Sequence, residues 1–117
     1  MELPDLVRAI LKGDLLAARQ WVADAYLEPV DWERIEQPLA LSDHEMCVAA
    51  ALVELLASRR GSTPPSWTTK VGESKEQLIL DPGLERMPRS FEHAKRYGPE
   101  PLRKRNIVAL PDFLEIA

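Results

Sequence analysis

The sequence predicts a mainly α fold: a small helical bundle with an irregular, proline-rich C-terminal half and room for one short β-hairpin. Three observations predict it. Residues 6–60 are aliphatic, alanine-rich and repeat with helical period. After Gly61 the chain turns to Pro, Trp and Arg, and Pro82, Pro88, Pro99, Pro101 and Pro111 fall too often for long helices or central strands. At 117 residues the chain has the size of one domain with a modest core. We read residues 1–117 as a single domain, with 1–61 as the helical core and 62–117 as a segment wrapped over it.

The first helix is expected over Pro4–Leu11, with Pro4 at its first turn and Leu6, Val7, Ile10 and Leu11 on one face. Gly13 ends it, and Asp14 caps a second helix running to about Ala25. Leu15, Ala18, Trp21, Val22 and Ala25 give that helix its apolar stripe. Pro29 stops it. A short turn follows over Trp32–Glu36, bounded by Asp31 and Pro38.

Ser42-Asp43-His44-Glu45 then matches a capping box, with Ser42 as N-cap and Glu45 at the third position. Leu41 and Met46 are spaced for a hydrophobic staple. The helix runs to about Arg60, and Gly61 suits its C-terminal stop. Val48, Ala49, Leu52, Val53, Leu55 and Leu56 make it apolar nearly all round, so it is the expected buried centre. In the second half, Gln77–Leu80 and Arg105–Ala109 read as extended segments. Arg89–Tyr97 reads as one helix, and Asp112 opens a terminal turn over Phe113–Ile116.

The net charge of −4 argues against a dedicated DNA-binding protein. The charge is uneven, however. Residues 1–60 carry 6 Lys/Arg against 11 Asp/Glu, whereas residues 61–117 carry 9 against 8, so the cations gather late. Seven of them lie between Leu84 and Asn106, including Arg89, Arg96, Arg103 and Arg105, with Phe91 and Tyr97 interleaved. Basic residues alternating with aromatics are a footprint of single-stranded nucleic-acid contact. They are equally a solvated patch, a surface for an acidic protein, or partners for the acidic first half.

No catalytic constellation stands out. His44, His93 and Cys47 lack metal-ligand spacing, and no nucleophile elbow or phosphate-binding glycine loop is present. No metal, cofactor or catalytic residue is expected. Arg89 and His93 share a helix face, which leaves a small nuclease as a remote third class. Cys47, alone in an apolar run, reads as a buried, inert thiol. The longest apolar run, Met46–Val53, is too short to cross a membrane, and no signal peptide is visible, so a bacterial cytoplasmic location is expected. Trp67, held by Pro64-Pro65, is placed to plug a groove on its own domain or on a partner.

Pro65-Ser66-Trp67-Thr68, then Pro101-Leu102-Arg103-Lys104-Arg105-Asn106-Ile107 and Pro111-Asp112-Phe113-Leu114, resembles the C-terminal region of small bacterial proteins encoded beside nucleotidyltransferase-like toxins. The resemblance covers about half the chain. It implies a non-enzymatic antitoxin-like protein that binds and neutralises a neighbouring toxin. Some members of that group carry a helix-turn-helix domain. The acidic first half and the lack of a basic recognition helix set this chain apart from them.

The partner-binding candidates are Trp67, Arg96, Leu102, Arg103, Arg105, Phe113 and Leu114. On this reading Arg103→Glu and Arg105→Glu weaken partner binding without unfolding the domain. The alternative is a small nucleic-acid-binding accessory protein using residues 84–106.

Overall fold

Ser42 opens the helix on which the other elements pack. In the computed structural model, which describes residues 2–115, its hydroxyl accepts from the Glu45 backbone N–H at 3.3 Å and the Glu45 carboxylate accepts from the Ser42 N–H at 3.0 Å. The expected capping box is therefore closed at both ends. The helix it starts, α3 (Asp43–Arg59), is buried continuously from Cys47 to Ala57. Small and branched side chains on all faces let neighbours approach from every side.

Those neighbours come from both halves of the sequence. Helix α1 (Leu3–Leu11) buries Leu3, Leu6, Val7 and Ile10, and packs on α2 (Leu15–Leu27) and α3. Leu11, expected on the same face, is 42% exposed at its end. Helix α2 (Leu15–Leu27) is capped by Asp14, whose carboxylate accepts from the Ala17 N–H at 3.1 Å. It buries Ala18, Val22 and Ala25 and runs one half-turn past the expected end. A 3-10 turn, Trp32–Arg34, seats the buried Trp32 against the core.

The second half is ordered as a wrap. A 3-10 segment, Ser66–Lys70, lies on α3. Strand β1 (Leu78–Ile79) pairs with β2 (Ile107–Val108), with Leu78 opposite Ile107. The pair is parallel, which corrects the expected hairpin. A parallel pair needs a long crossover, supplied here by helices α4 (Pro88–Tyr97) and α5 (Glu100–Arg103), the latter unforeseen.

Alternation along the strands divides two cores. Leu78, Leu80, Ile107 and Ala109 face the main core around α3. Ile79, Val108 and Leu110 face a satellite cluster with Leu84, Phe91 and Ala94 under α4. The terminal turn covers Pro111–Leu114, and the part of its expected span at Ile116 lies outside the described residues. Leu114 holds a positive φ of 56° while only 2% exposed, a conformation a branched side chain adopts only under tertiary constraint. The Cα radius of gyration, 13.3 Å, matches the ~13 Å of a compact domain of this length, so the tail adds no extension.

Candidate partner-binding site

The tail residues singled out from sequence split into an inner and an outer set. Leu102, Phe113 and Leu114 are buried in the chain's own core. Trp67 is half-buried against it, and its indole N–H donates to the Ile35 carbonyl at 2.8 Å. Arg105 is 2% exposed. Arg96 and Arg103 remain on the surface.

The basic run Arg103-Lys104-Arg105 is engaged within the fold at every position. Arg103 Nε donates to the Gly98 carbonyl at 2.6 Å. Lys104 Nζ lies 2.9 Å from Glu54 Oε1. The Arg105 guanidinium meets the Glu54 carboxylate with two contacts of 2.8 and 2.9 Å, and also donates to the carbonyls of Pro101 and Thr68. Only its Nε is left without a partner. Burial alone would raise the Glu54 carboxyl above its ordinary range. The hydrogen bonds from Arg105 and Lys104 overcome that penalty and hold it at about 2. An Arg105→Glu change would put a second carboxylate beside Glu54 in the interior. The expectation that it leaves the fold intact is therefore corrected.

The surface groove lies elsewhere, at the N-terminal end of the bundle. Leu3 and Pro4 of α1, Trp21 and Ala25 of α2, and Val30, Ile35, Pro38, Leu39 and Ala40 of the connecting loop line a trough of about 590 Å³. Pro29 lies just past the end of α2, and Pro38 falls in the coil between the 3-10 turn and α3. The Trp21 indole N–H donates to the Glu2 carbonyl at 3.1 Å, which fixes the ring as one wall. Leu39 stands at the rim, 99% exposed. Charged lining comes from Glu2, Glu28 and Glu36, with no Lys or Arg among the described lining residues.

None of these groove residues was singled out as a binding candidate from sequence. The one local signal is the run Leu39-Ala40-Leu41 in a loop between Pro38 and the helix cap, where polar residues are the norm. Glu54 did carry a signal: an acid inside Leu52-Val53-Glu54-Leu55-Leu56 has to find a cation if that helix is buried.

Helix α4 forms the basic surface. Arg89, His93, Arg96 and Tyr97 recur along one exposed flank, and the His93 and Tyr97 rings sit 5.0 Å apart. Glu92 is tied to Lys95 at 3.3 Å on the other flank. Among the described residues neither Arg89 nor Arg96 is ion-paired.

Cys47 is buried, as expected, and its thiol contacts the Gly72 carbonyl at 3.5 Å. Burial pushes the thiol pKa up, which disfavours the reactive thiolate. His44 is half-buried near it. No group of three or more His, Cys, Asp or Glu side chains placed to hold a metal occurs among the described residues. No described helix is long and apolar enough to cross a membrane. No protein-family model, curated protein or solved structure matches the chain.

Proposed function

We propose that this chain is a non-enzymatic protein-interaction module, an antitoxin-like protein that binds and masks a protein partner. A nucleotidyltransferase-like toxin is the partner that the resemblance of the tail implies. The observation that carries the reading is the apolar trough between α1, α2 and residues 30–40, rimmed by a Leu39 left almost wholly in water. A contiguous concave apolar surface is held open at a cost in hydration, and its usual use is recognition. Leu16 and Leu27, 83% and 85% exposed on the outward side of α2, extend the apolar surface of the same half. Masking then follows from occlusion, with the buried tail as scaffold and the helical half as contact.

Co-expression of the tagged chain with its native gene neighbours tests the reading. The expected result is one stoichiometric protein that survives a high-salt wash and whose activity is lost in the complex. Recovery of the chain alone under those conditions removes it.

Helix α4 favours a second reading, a single-stranded nucleic-acid contact in a bacterial cytoplasm, because two arginines without ion pairs lie beside an exposed, tilted His93–Tyr97 ring pair. Affinity for a labelled single-stranded oligonucleotide would then fall steeply with salt, and Arg89→Glu/Arg96→Glu would flatten the slope. Absence of binding at low salt excludes it.

A further inference from the structure

We infer that the occupant of the α1–α2 trough is a short apolar segment of a protein partner, flanked by Lys or Arg. The inference rests on the interaction-module reading and adds the chemistry of the partner. Two features of the trough define it.

The first is the lining. Leu3, Pro4, Trp21, Val30, Ile35 and Pro38 present carbon, and besides the glutamates Gln37 is the one polar side chain among the described lining residues. A trough of about 590 Å³ accommodates two or three large side chains of a helix or extended strand.

The second is the sign of the rim. Glu2, Glu28 and Glu36 are the charged members of the lining, and Glu28 and Glu36 are both exposed. No cation among the described lining residues offsets them. They come from three separate segments, the N-cap of α1, the C-cap of α2 and the loop after the 3-10 turn, so the acidic lining is not the product of one short run. A single compact cation meets only part of such a rim. A polypeptide whose apolar anchors enter the trough and whose Lys or Arg side chains reach outward meets it on several sides. Charge of that arrangement steers encounter and rejects acidic competitors. No residue of α4 lines the trough.

The experiment is a titration of the isotope-labelled full chain with two synthetic probes. One is a short amphipathic peptide with a Leu/Trp stripe and Lys flanks, and the other is the same peptide with Glu flanks. The Lys-flanked peptide is expected to move the Trp21 indole N–H and the Ala25, Val30 and Leu39 amides. It should bind about tenfold more tightly than its Glu-flanked twin at low salt. Glu28→Lys/Glu36→Lys should reverse that order, and Leu39→Lys should weaken the Lys-flanked peptide. All three positions are exposed, so the variants keep the wild-type circular dichroism spectrum.

Equal affinities, shifts confined to other surfaces, or no binding by either peptide overturn the inference. Concentration-dependent shifts of the same amides without peptide overturn it in favour of a second copy of the chain. The same variants separate this inference from the reading beneath it. If the co-purified partner of the wild-type chain stays with Leu39→Lys and Glu28→Lys/Glu36→Lys, the trough is wrong and the interaction module stands. If the wild-type chain holds no partner, the module reading itself fails.

Discussion

Glu54 and Arg105 meet end-on in the interior, 51 residues apart in sequence, with both members less than 8% exposed and two contacts of 2.8 and 2.9 Å between them. The pair joins the middle of α3 to Arg105, two residues before β2. Breaking it from one side leaves a buried charge uncompensated. Arg105→Met or Glu54→Leu alone should each cost about 3–5 kcal/mol in urea denaturation. Changing both together should recover most of that loss, because an apolar pair of similar volume removes both desolvation penalties. A double variant as unstable as the worse single one would show that the carbonyl contacts of Arg105, not the ion pair, set its value.

Acid should expose the same pair. The Glu54 carboxyl sits at about 2 in the fold, against an ordinary 4.5. A lowered carboxyl contributes stability that is complete above its unfolded value and lost as pH falls through the folded one. Stability should thus decline between about pH 4.5 and pH 2, with Glu54 supplying roughly 3 kcal/mol of the change. Urea midpoints measured across that window should flatten in Glu54→Gln. An equally steep decline in the variant would assign acid sensitivity to other carboxylates.

Gly98 should tolerate no side chain. A Cβ there would lie 2.5 Å from the Ala109 carbonyl oxygen and 2.6 Å from that of Ala94, and both are backbone atoms. Gly98→Ala must therefore push α4 away from the segment after β2. We expect a loss toward the upper end of the ~1–3 kcal/mol typical of overpacking, read as a lower thermal midpoint. Gly61 is the control: its added Cβ meets nothing within 4 Å, and its φ of 69° limits the cost to backbone strain.

Much of the helical half was legible because its signals are local. Ser42 and Glu45, or Asp14 and Ala17, lie within one turn, and period alone picks out Leu6, Val7 and Ile10. The tail was legible as segments but not as an arrangement. Nothing in Gln77–Leu80 or Arg105–Ala109 states whether the two run parallel, since that depends on how α4 and α5 cross over. The inward turn of Arg105 was equally hidden, because its partner is half a chain away. The trough was the least legible feature: residues 2–4, 21–28 and 30–40 meet only after α1 has folded onto α2.

The end of α3 is fastened to the terminal turn by Arg59, whose guanidinium donates to the carbonyls of Phe113 at 2.6 Å and Pro111 at 3.3 Å. Arg59→Ala should release Phe113 and Leu114 locally. Amide exchange at residues 112–115 should accelerate at least tenfold while the α3 amides keep their protection, in line with local opening of weakly held segments. Uniform acceleration along the whole chain would show that the turn cannot open apart from the core.

The placement of Ile107, Phe113 and Leu114 in the main core sets the order in which the protein matures during synthesis. A growing chain that ends before residue 105 carries α3 with much of its apolar flank bare and with Glu54 unanswered. Such a nascent species is a natural client for chaperones and a target for proteolysis. The main core is complete only once β2 and the terminal turn have emerged. The fold thereby acts as its own proofreader, since a product truncated before Arg105 lacks both the closing side chains and the cation that the buried acid requires.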